Sequence, residues 1–182
     1  MKNLFLRKIA IVAIAVVTIS VSVTAQQKGD MAAGGNLVVG FGDKVTNIGI
    51  GGKFQYNVID PLRLEGSITL FLPKTETETF LGEKYKYKWS MWDISVNAHY
   101  LFPVASQVTV YPLAGLGILG VTGKFTEGGR SYSNSESYFA FNLGGGVDFK
   151  LTDQIFLNSE LKYKLCKDWD RFNFSVGVAF KF

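Results

Sequence analysis

One cysteine and one histidine are all that 182 residues hold of two common metal-binding and catalytic side chains. Cys166 alone cannot form an intramolecular disulfide and reads as a tolerated small residue near a loop. His99, with no second ligand suggested by spacing, is poor evidence for a metal. After residue 25 no segment keeps a 3.6-residue apolar period, so amphipathic helices are not the building element. No cluster of Lys and Arg with interleaved stacking aromatics is present, and nucleic acid is therefore not expected as a partner. The pI near 9.1 does not argue otherwise, because part of the charge belongs to a removable leader.

That leader is the first thing the chain does have. Lys2, Arg7 and Lys8 form a basic start, Ile9 to Val23 is an almost unbroken apolar run, and Val23-Thr24-Ala25 supplies small residues for a signal-peptidase site. A transmembrane helix would need roughly 20 apolar residues. No cysteine follows the run to carry a lipid anchor. Cleavage after Ala25 is expected, giving a signal peptide over 1–25 and one domain over 26–182. Removing three basic residues from the total of 19 leaves 16 against 15 acidic ones, close to neutrality.

The mature part, with 20 glycines, 15 phenylalanines and eight tyrosines across the whole chain, suits short strands and tight turns. Two-residue alternation predicts eight strands. The first runs from Ala32 to Phe41. The second is marked by Ile48, Ile50, Phe54, Tyr56 and Val58. The third sets Leu62, Leu64, Ile68 and Leu70 against Arg63, Glu65, Ser67 and Thr69. The fourth sets Trp92, Ile94, Val96, Ala98, Tyr100 and Phe102 against Asp93, Ser95, Asn97 and His99. After a turn at Pro103–Gln107, the fifth covers Val108 to about Val121, with a bulge expected at Pro112. The sixth covers Ser137 to Phe149. In the seventh, Leu157, Leu161 and Tyr163 oppose Asn158, Glu160 and Lys162. The eighth, Arg171 to Phe182, alternates throughout and ends on an aromatic.

Connections after the second, fourth and sixth strands are brief, and those after the third and fifth are long. An even-stranded membrane barrel with short periplasmic turns and long extracellular loops has this arrangement, with both termini periplasmic. A soluble barrel would need a solvated outer face. The face opposite the apolar one carries Gly115, Gly117, Asn142, Gly144, Gly146, Ser175, Gly177 and Ala179. These suit the cramped lumen of an eight-stranded barrel. The charges Arg63, Glu65, Asp93, Asp148, Glu160, Lys162 and Arg171, with His99, are expected to form a structural polar network in that lumen. Trp89, Trp92, Tyr100, Phe102 and Tyr163 lie near strand ends, where interfacial aromatics belong.

The terminal strand resembles the closing strand of bacterial outer-membrane barrels, whose final Phe is read by the insertion machinery; this assigns Phe180 and Phe182 as an insertion signal. With the leader, the strand Tyr111-Pro-Leu-Ala-Gly-Leu-Gly-Ile-Leu-Gly120 and the strand Phe141-Asn-Leu-Gly-Gly-Gly-Val-Asp-Phe149, the whole mature chain resembles the small outer-membrane β-barrel superfamily. The resemblance is to the eight-stranded type of the OmpA membrane domain and OmpX. It implies an all-β, eight-stranded antiparallel up-and-down transmembrane β-barrel in the cell outer membrane, contacting outer-membrane lipid and, during biogenesis, the barrel-insertion machinery. With nothing after Phe182, the peptidoglycan-binding domain of full-length OmpA is expected to be absent.

Gly115, Gly117 and Gly120 match G-x-G-x-x-G, but a dinucleotide site needs a following helix, and none is predicted. His99 could serve a lipid deacylase, yet that family's His-x-Ser signature is missing because Tyr100 and Leu101 follow. The chain is therefore expected to be non-enzymatic, without cofactor or metal. The segments 75–80 and 84–88 both alternate and can pair as a hairpin beyond the bilayer, with Glu76 and Glu78 near Lys86 and Lys88. Gly128-Gly129 fits a two-residue turn that sets Phe125 opposite Tyr132. The expected role is structural or surface-binding through the hairpins around 73–88 and 122–136, with an extracellular protein or glycan as ligand, as a monomer with a plugged lumen. The alternatives are a narrow passive channel for ions or small solutes and, further off, an outer-membrane enzyme.

Overall fold

The computed structural model describes residues 28–42, 46–80, 83–127 and 130–182. The expected signal peptide and the turn at Gly128-Gly129 lie outside the described residues. Among the described residues, nine strands form one antiparallel sheet: β1 (Met31–Gly42), β2 (Thr46–Ile59), β3 (Leu62–Phe80), β4 (Glu83–Tyr100), β5 (Phe102–Ala105), β6 (Val108–Glu127), β7 (Arg130–Lys150), β8 (Ile155–Cys166) and β9 (Arg171–Lys181). β1 pairs with both β2 and β9, and β4 pairs with β6, so the sheet closes. β5 continues the wall of β4 after a break at Leu101, whose N–H bonds to the Pro61 carbonyl at 2.8 Å. The barrel therefore has eight walls, as alternation requires, with one wall in two pieces.

Alternation decides which side chain goes where. Along β9, Arg171, Asn173, Ser175 and Ala179 are buried while Phe172, Phe174, Val176, Val178 and Phe180 are exposed. Along β3, Arg63 and Glu65 are fully buried and Leu64, Ile68 and Leu70 face outward. The outward apolar belt continues through Leu37, Ile50, Val96, Phe141 and Leu161. A continuous belt of this kind is far beyond what a soluble monomer exposes, and it suits hydrocarbon. Placing an arginine at Val176, in the middle of this belt, is expected to cost about 2–4 kcal/mol of folding free energy in a bilayer. Equilibrium unfolding of Val176→Arg in liposomes measures this, and an unchanged midpoint would contradict a lipid-facing position. Aromatic pairs flank the belt, Tyr163 with Phe172 at 4.6 Å and Tyr100 with Phe102 at 4.8 Å between ring centroids.

Three details differ from the sequence expectation. Pro112 makes no bulge: the β6–β7 register runs unbroken through Pro112↔Gly145. On its other side, Pro112 falls between the last β4 partner pair, His99↔Leu113, and the first β5 pair, Phe102↔Val110, where a missing N–H costs no ladder bond. Three of the five residues of the expected Pro103–Gln107 turn are strand, because Phe102, Pro103 and Ala105 still pair with β6. The third difference concerns the first long hairpin. β3 and β4 shift register between Phe71 and Lys74, around Pro73. That one-residue bulge pairs Glu76 with Tyr87, Glu78 with Tyr85, and Lys86 and Lys88 with Thr77 and Thr75. The expected Glu–Lys pairing belongs to the unshifted register; a proline that cannot donate to the ladder removes it.

The walls also differ in height. The β2–β3 ladder ends at Gly49↔Phe71 and the β7–β8 ladder at Ala140↔Cys166. Above those points β3, β4, β6 and β7 continue alone as a four-stranded sheet, with Phe125 paired to Tyr132. This sheet rises from the end opposite Met31 and Phe182; in outer-membrane barrels the end with the longer hairpins is the extracellular one.

Candidate functional site: the filled lumen and an aromatic cleft at its mouth

The inward parity of β2, β3, β4, β6, β7 and β8 brings a charged cluster together in the lower lumen. Arg63 forms an ion pair with Asp148 at 2.7 Å, donates to His99 Nδ1 and holds its guanidinium 4.8 Å from the Tyr111 ring. The His99 and Tyr111 rings stack at 4.6 Å. The Tyr111 hydroxyl donates to Glu160 at 2.9 Å. Lys53 stands between Glu65 and Glu160, 3.3 Å from each, and Lys162 lies 3.1 Å from Glu160. Gln55 donates to Glu65 at 2.8 Å. Three cations thus face three carboxylates, which is the condition for burying charge at all. Glu65, His99 and Glu160 lie within 4.8 Å of one another in a geometry that could hold a metal ion, but Lys53 already contacts both acids.

A second tier sits above. Lys164 pairs with Asp93 at 2.7 Å and donates to Ser95, which donates to Asp93. Asn142 donates to Asn97 at 2.8 Å. Higher still, Arg171 donates to Asn173 and Asn47 and lies over the Phe71 ring at 4.7 Å. Between the tiers, a void bordered by Thr69, Asp93, Ser95, Lys164 and Ser175 measures about 10 Å³, near the lower limit for one water molecule. The top of the lumen is apolar: Val38, Phe71, Met91, Leu119, Val121, Ala140 and Cys166 pack together, with Tyr138 and Trp169 resting on them.

All eight residues expected in the lumen lie on the inner faces, but in separate tiers. Arg63, Glu65, His99, Asp148, Glu160 and Lys162 are joined, Asp93 belongs to the middle tier, and Arg171 belongs to the upper one. Phe180 and Phe182 face outward at the opposite end. Lys53, Gln55, Tyr111 and Lys164 join the network without a signal of their own in the sequence. Strand parity is the one guide to each, since they alternate with Phe54, Tyr56, Pro112 and Leu165 on the outer face.

Above the apolar plug lies a cleft of about 440 Å³, lined by Tyr87, Trp89, Val121, Gly123, Lys124, Phe125, Tyr132, Ser133, Asn134, Glu136, Tyr138 and Trp169. The concave face of the four-stranded sheet forms one wall. Trp89, expected at the membrane interface, has inner parity on β4 and turns into this cleft. Gly123 makes room for it, because a Cβ there would meet the indole at 3.1 Å. The opposite wall is Trp169, held in the β8–β9 turn. There Asp168 takes a left-handed φ of 62°, the Trp169 N–H bonds to the Cys166 carbonyl at 2.9 Å, and Asp170 accepts the Cys166 N–H at 2.7 Å. Trp169 stands 6.4 Å from both Trp89 and Tyr138, and Tyr87 stands 5.0 Å from Phe125. The Tyr138 hydroxyl donates to Glu136 and also bonds with Trp169, while Asn134 donates to Glu136 at 3.2 Å.

Comparison with known proteins agrees with this architecture. The family described as "Outer membrane protein beta-barrel domain" matches residues 11–182. Among solved structures, the N-terminal barrel domain of Pseudomonas aeruginosa OprF superposes with a TM-score of 0.61 at 17% identity, covering 86% of this chain and 100% of that one. Ail, the attachment invasion locus protein of Yersinia pestis, gives 0.58 at 15% identity with the same coverage. OprG of P. aeruginosa gives 0.57 at 13% identity, covering 88% of this chain and 99% of that one. At these identities the likeness is one of fold. A search of curated proteins returns no match. The closed eight-walled barrel, its apolar belt and the family match over nearly the whole chain lead to one statement: the chain belongs to the outer membrane β-barrel domain family and is an integral protein of the outer membrane.

Proposed function

We propose that this barrel is a monomeric, non-enzymatic surface-binding protein whose lumen is sealed and whose contact with the outside runs through the cleft between its extended strands. The observation that carries the reading is the cleft itself: six aromatic side chains converge on one concavity at the extracellular end. Exposed aromatics at that density mark binding surfaces. Ail of Y. pestis, similar in fold, has been crystallised in complex with the heparin analogue sucrose octasulfate. A glycan is accordingly one ligand class for this chain, beside an extracellular protein.

The tiers of the lumen support the sealed reading over the channel. Each polar tier is crossed by bonded pairs and the top by packed apolar side chains, so an ion would have to break buried ion pairs to pass. Reconstituted into planar bilayers, the protein is expected to give no discrete conductance steps; large, reproducible steps would move the assignment to a channel. The non-enzymatic reading rests on His99. It is wholly buried, stacked on Tyr111 and faced by Arg63, which leaves it no route to a substrate. Lipid-modifying activity that disappears in His99→Ala while the barrel still folds would reverse it. Adhesion of cells displaying the protein, compared with cells displaying a version with the β6–β7 hairpin trimmed at residues 122–136, tests the binding role.

A further inference from the structure

We infer that the cleft is a subsite for uncharged carbohydrate, taking sugar rings of a chain presented from outside the cell. The inference rests on the surface-binding reading and names its ligand class.

Three features of the cleft converge on that chemistry. Its volume, about 440 Å³, falls within the roughly 300–1,000 Å³ typical of small-ligand sites, so it holds more than a small cationic headgroup. Its walls are aromatic faces with polar tips, the surface on which the C–H face of a pyranose rests while its hydroxyls reach the rim. Its inward polar groups are mixed in kind: a carboxylate on Glu136, an amide on Asn134 and phenol hydroxyls on Tyr87, Tyr132 and Tyr138, while Lys124 and Ser133 touch the cleft through the strand backbone. A sugar hydroxyl both donates and accepts, so it can use every one of these.

Charge decides against the neighbouring ligand classes. Among the described residues, Glu136 is the only charged side chain of inward parity in the lining; Lys124 alternates with Gly123 and Phe125 and turns to the convex face. A polyanion needs clustered cations. A quaternary ammonium gains most from aromatic faces beside an unengaged carboxylate. Both oxygens of Glu136 already accept bonds, one from Asn134 and one from Tyr138. These bonds fix the rim in place, and a rigid rim loses little entropy when a ligand docks. The source of the sugar follows from parity. Apart from Lys124 and Ser133, the lining side chains of β4, β6 and β7 share the concave inner side of the sheet, whereas lipids of the protein's own membrane pack around the outer wall. The chain in the cleft therefore comes from an opposing surface or the medium.

The test uses the intact chain in lipid nanodiscs, screened on an array of neutral, sulfated and sialylated oligosaccharides. The strongest neutral member is then titrated against tryptophan fluorescence. Two of the chain's three tryptophans, Trp89 and Trp169, line the cleft, while Trp92 packs against Gly120 on the outer wall. Neutral oligosaccharides are expected to bind and to shift the emission. Trp169→Ala is expected to weaken them by about tenfold or more. Tyr132→Ala, at an exposed position on the rim, should weaken them without touching the fold. Preserved mobility difference between boiled and unboiled samples shows that each variant is folded. The inference is overturned if only sulfated or sialylated members bind and added salt abolishes their binding. It is equally overturned if phosphocholine or purified lipopolysaccharide binds in their place, or if both variants bind neutral sugars as the parent does. Cell adhesion measured on the same variants separates the two levels. Adhesion that depends on the cleft without neutral-sugar binding sinks the ligand class alone, and adhesion indifferent to the cleft sinks the surface-binding reading as well.

Discussion

Replacing Arg63 by alanine is expected to lower the unfolding free energy of the barrel by about 3–5 kcal/mol, the range seen when one partner of a buried ion pair is removed. Arg63 is wholly buried. It pairs with Asp148 at 2.7 Å, donates to His99 and lies over Tyr111. Its loss strands the Asp148 carboxylate among buried groups with its ion-pair partner gone. Removing Asp148 alone should cost a similar amount, because the guanidinium is then stranded instead. Removing both should cost much less than the sum, and the double-mutant cycle reads the coupling directly. Urea unfolding of Arg63→Ala, Asp148→Ala and the double variant in liposomes gives the three values. Additive effects would mean that the pair is solvated, and the sealed lumen would be lost with it.

A valine at Gly144 is expected to abolish assembly, leaving no species whose gel mobility changes on boiling. Gly144 faces the lumen on β7 opposite Lys162 of β8. A Cβ there would run into the Leu161 carbonyl oxygen and approach the Lys162 Cα to 2.9 Å. Both are backbone atoms of the neighbouring strand, so the wall would have to move outward, and overpacking of a rigid site costs about 1–3 kcal/mol or more even where side chains can give way. The matched control is Gly66→Ala on the outer face of β3, where a Cβ meets nothing within 4 Å. That variant should refold like the parent. If Gly66→Ala failed and Gly144→Val folded, glycine content and not lumen width would be the constraint.

The two faces of each strand were legible because their chemistry differs at every second residue: Leu62 and Leu64 can only face lipid if Arg63 and Glu65 face in, and both do. The same parity implies Lys53 and Lys164, which a search for charge clusters along the chain passes over. Register is a different matter. On a long hairpin polar on both sides, nothing in composition penalises a one-residue slip. The shift around Pro73 therefore moves Glu76 and Glu78 away from the lysines that alternation sets beside them. Pro112 departs from expectation for a related reason: a proline is expensive in a ladder only where a partner strand asks for its N–H, and whether one does is set by the break at Leu101. Trp169 has no periodic signal at all. Its place in the cleft depends on a four-residue turn bent by Asp168 and pinned by Asp170, a tertiary event that no alternation reports.

The unequal wall heights carry a consequence for how this protein meets anything. Seen by lipid, an eight-walled barrel looks nearly the same from every side, and it can spin freely about the membrane normal. Seen from outside, the sheet of β3, β4, β6 and β7 screens one flank while, among the described residues, the β2–β3 and β7–β8 ladders stop lower and leave the other open. A macromolecule on a facing surface can engage only when the barrel's azimuth turns that open flank toward it. Encounter rates should thus depend on rotational diffusion in the plane, and crowding that slows the spin would slow capture even with affinity unchanged.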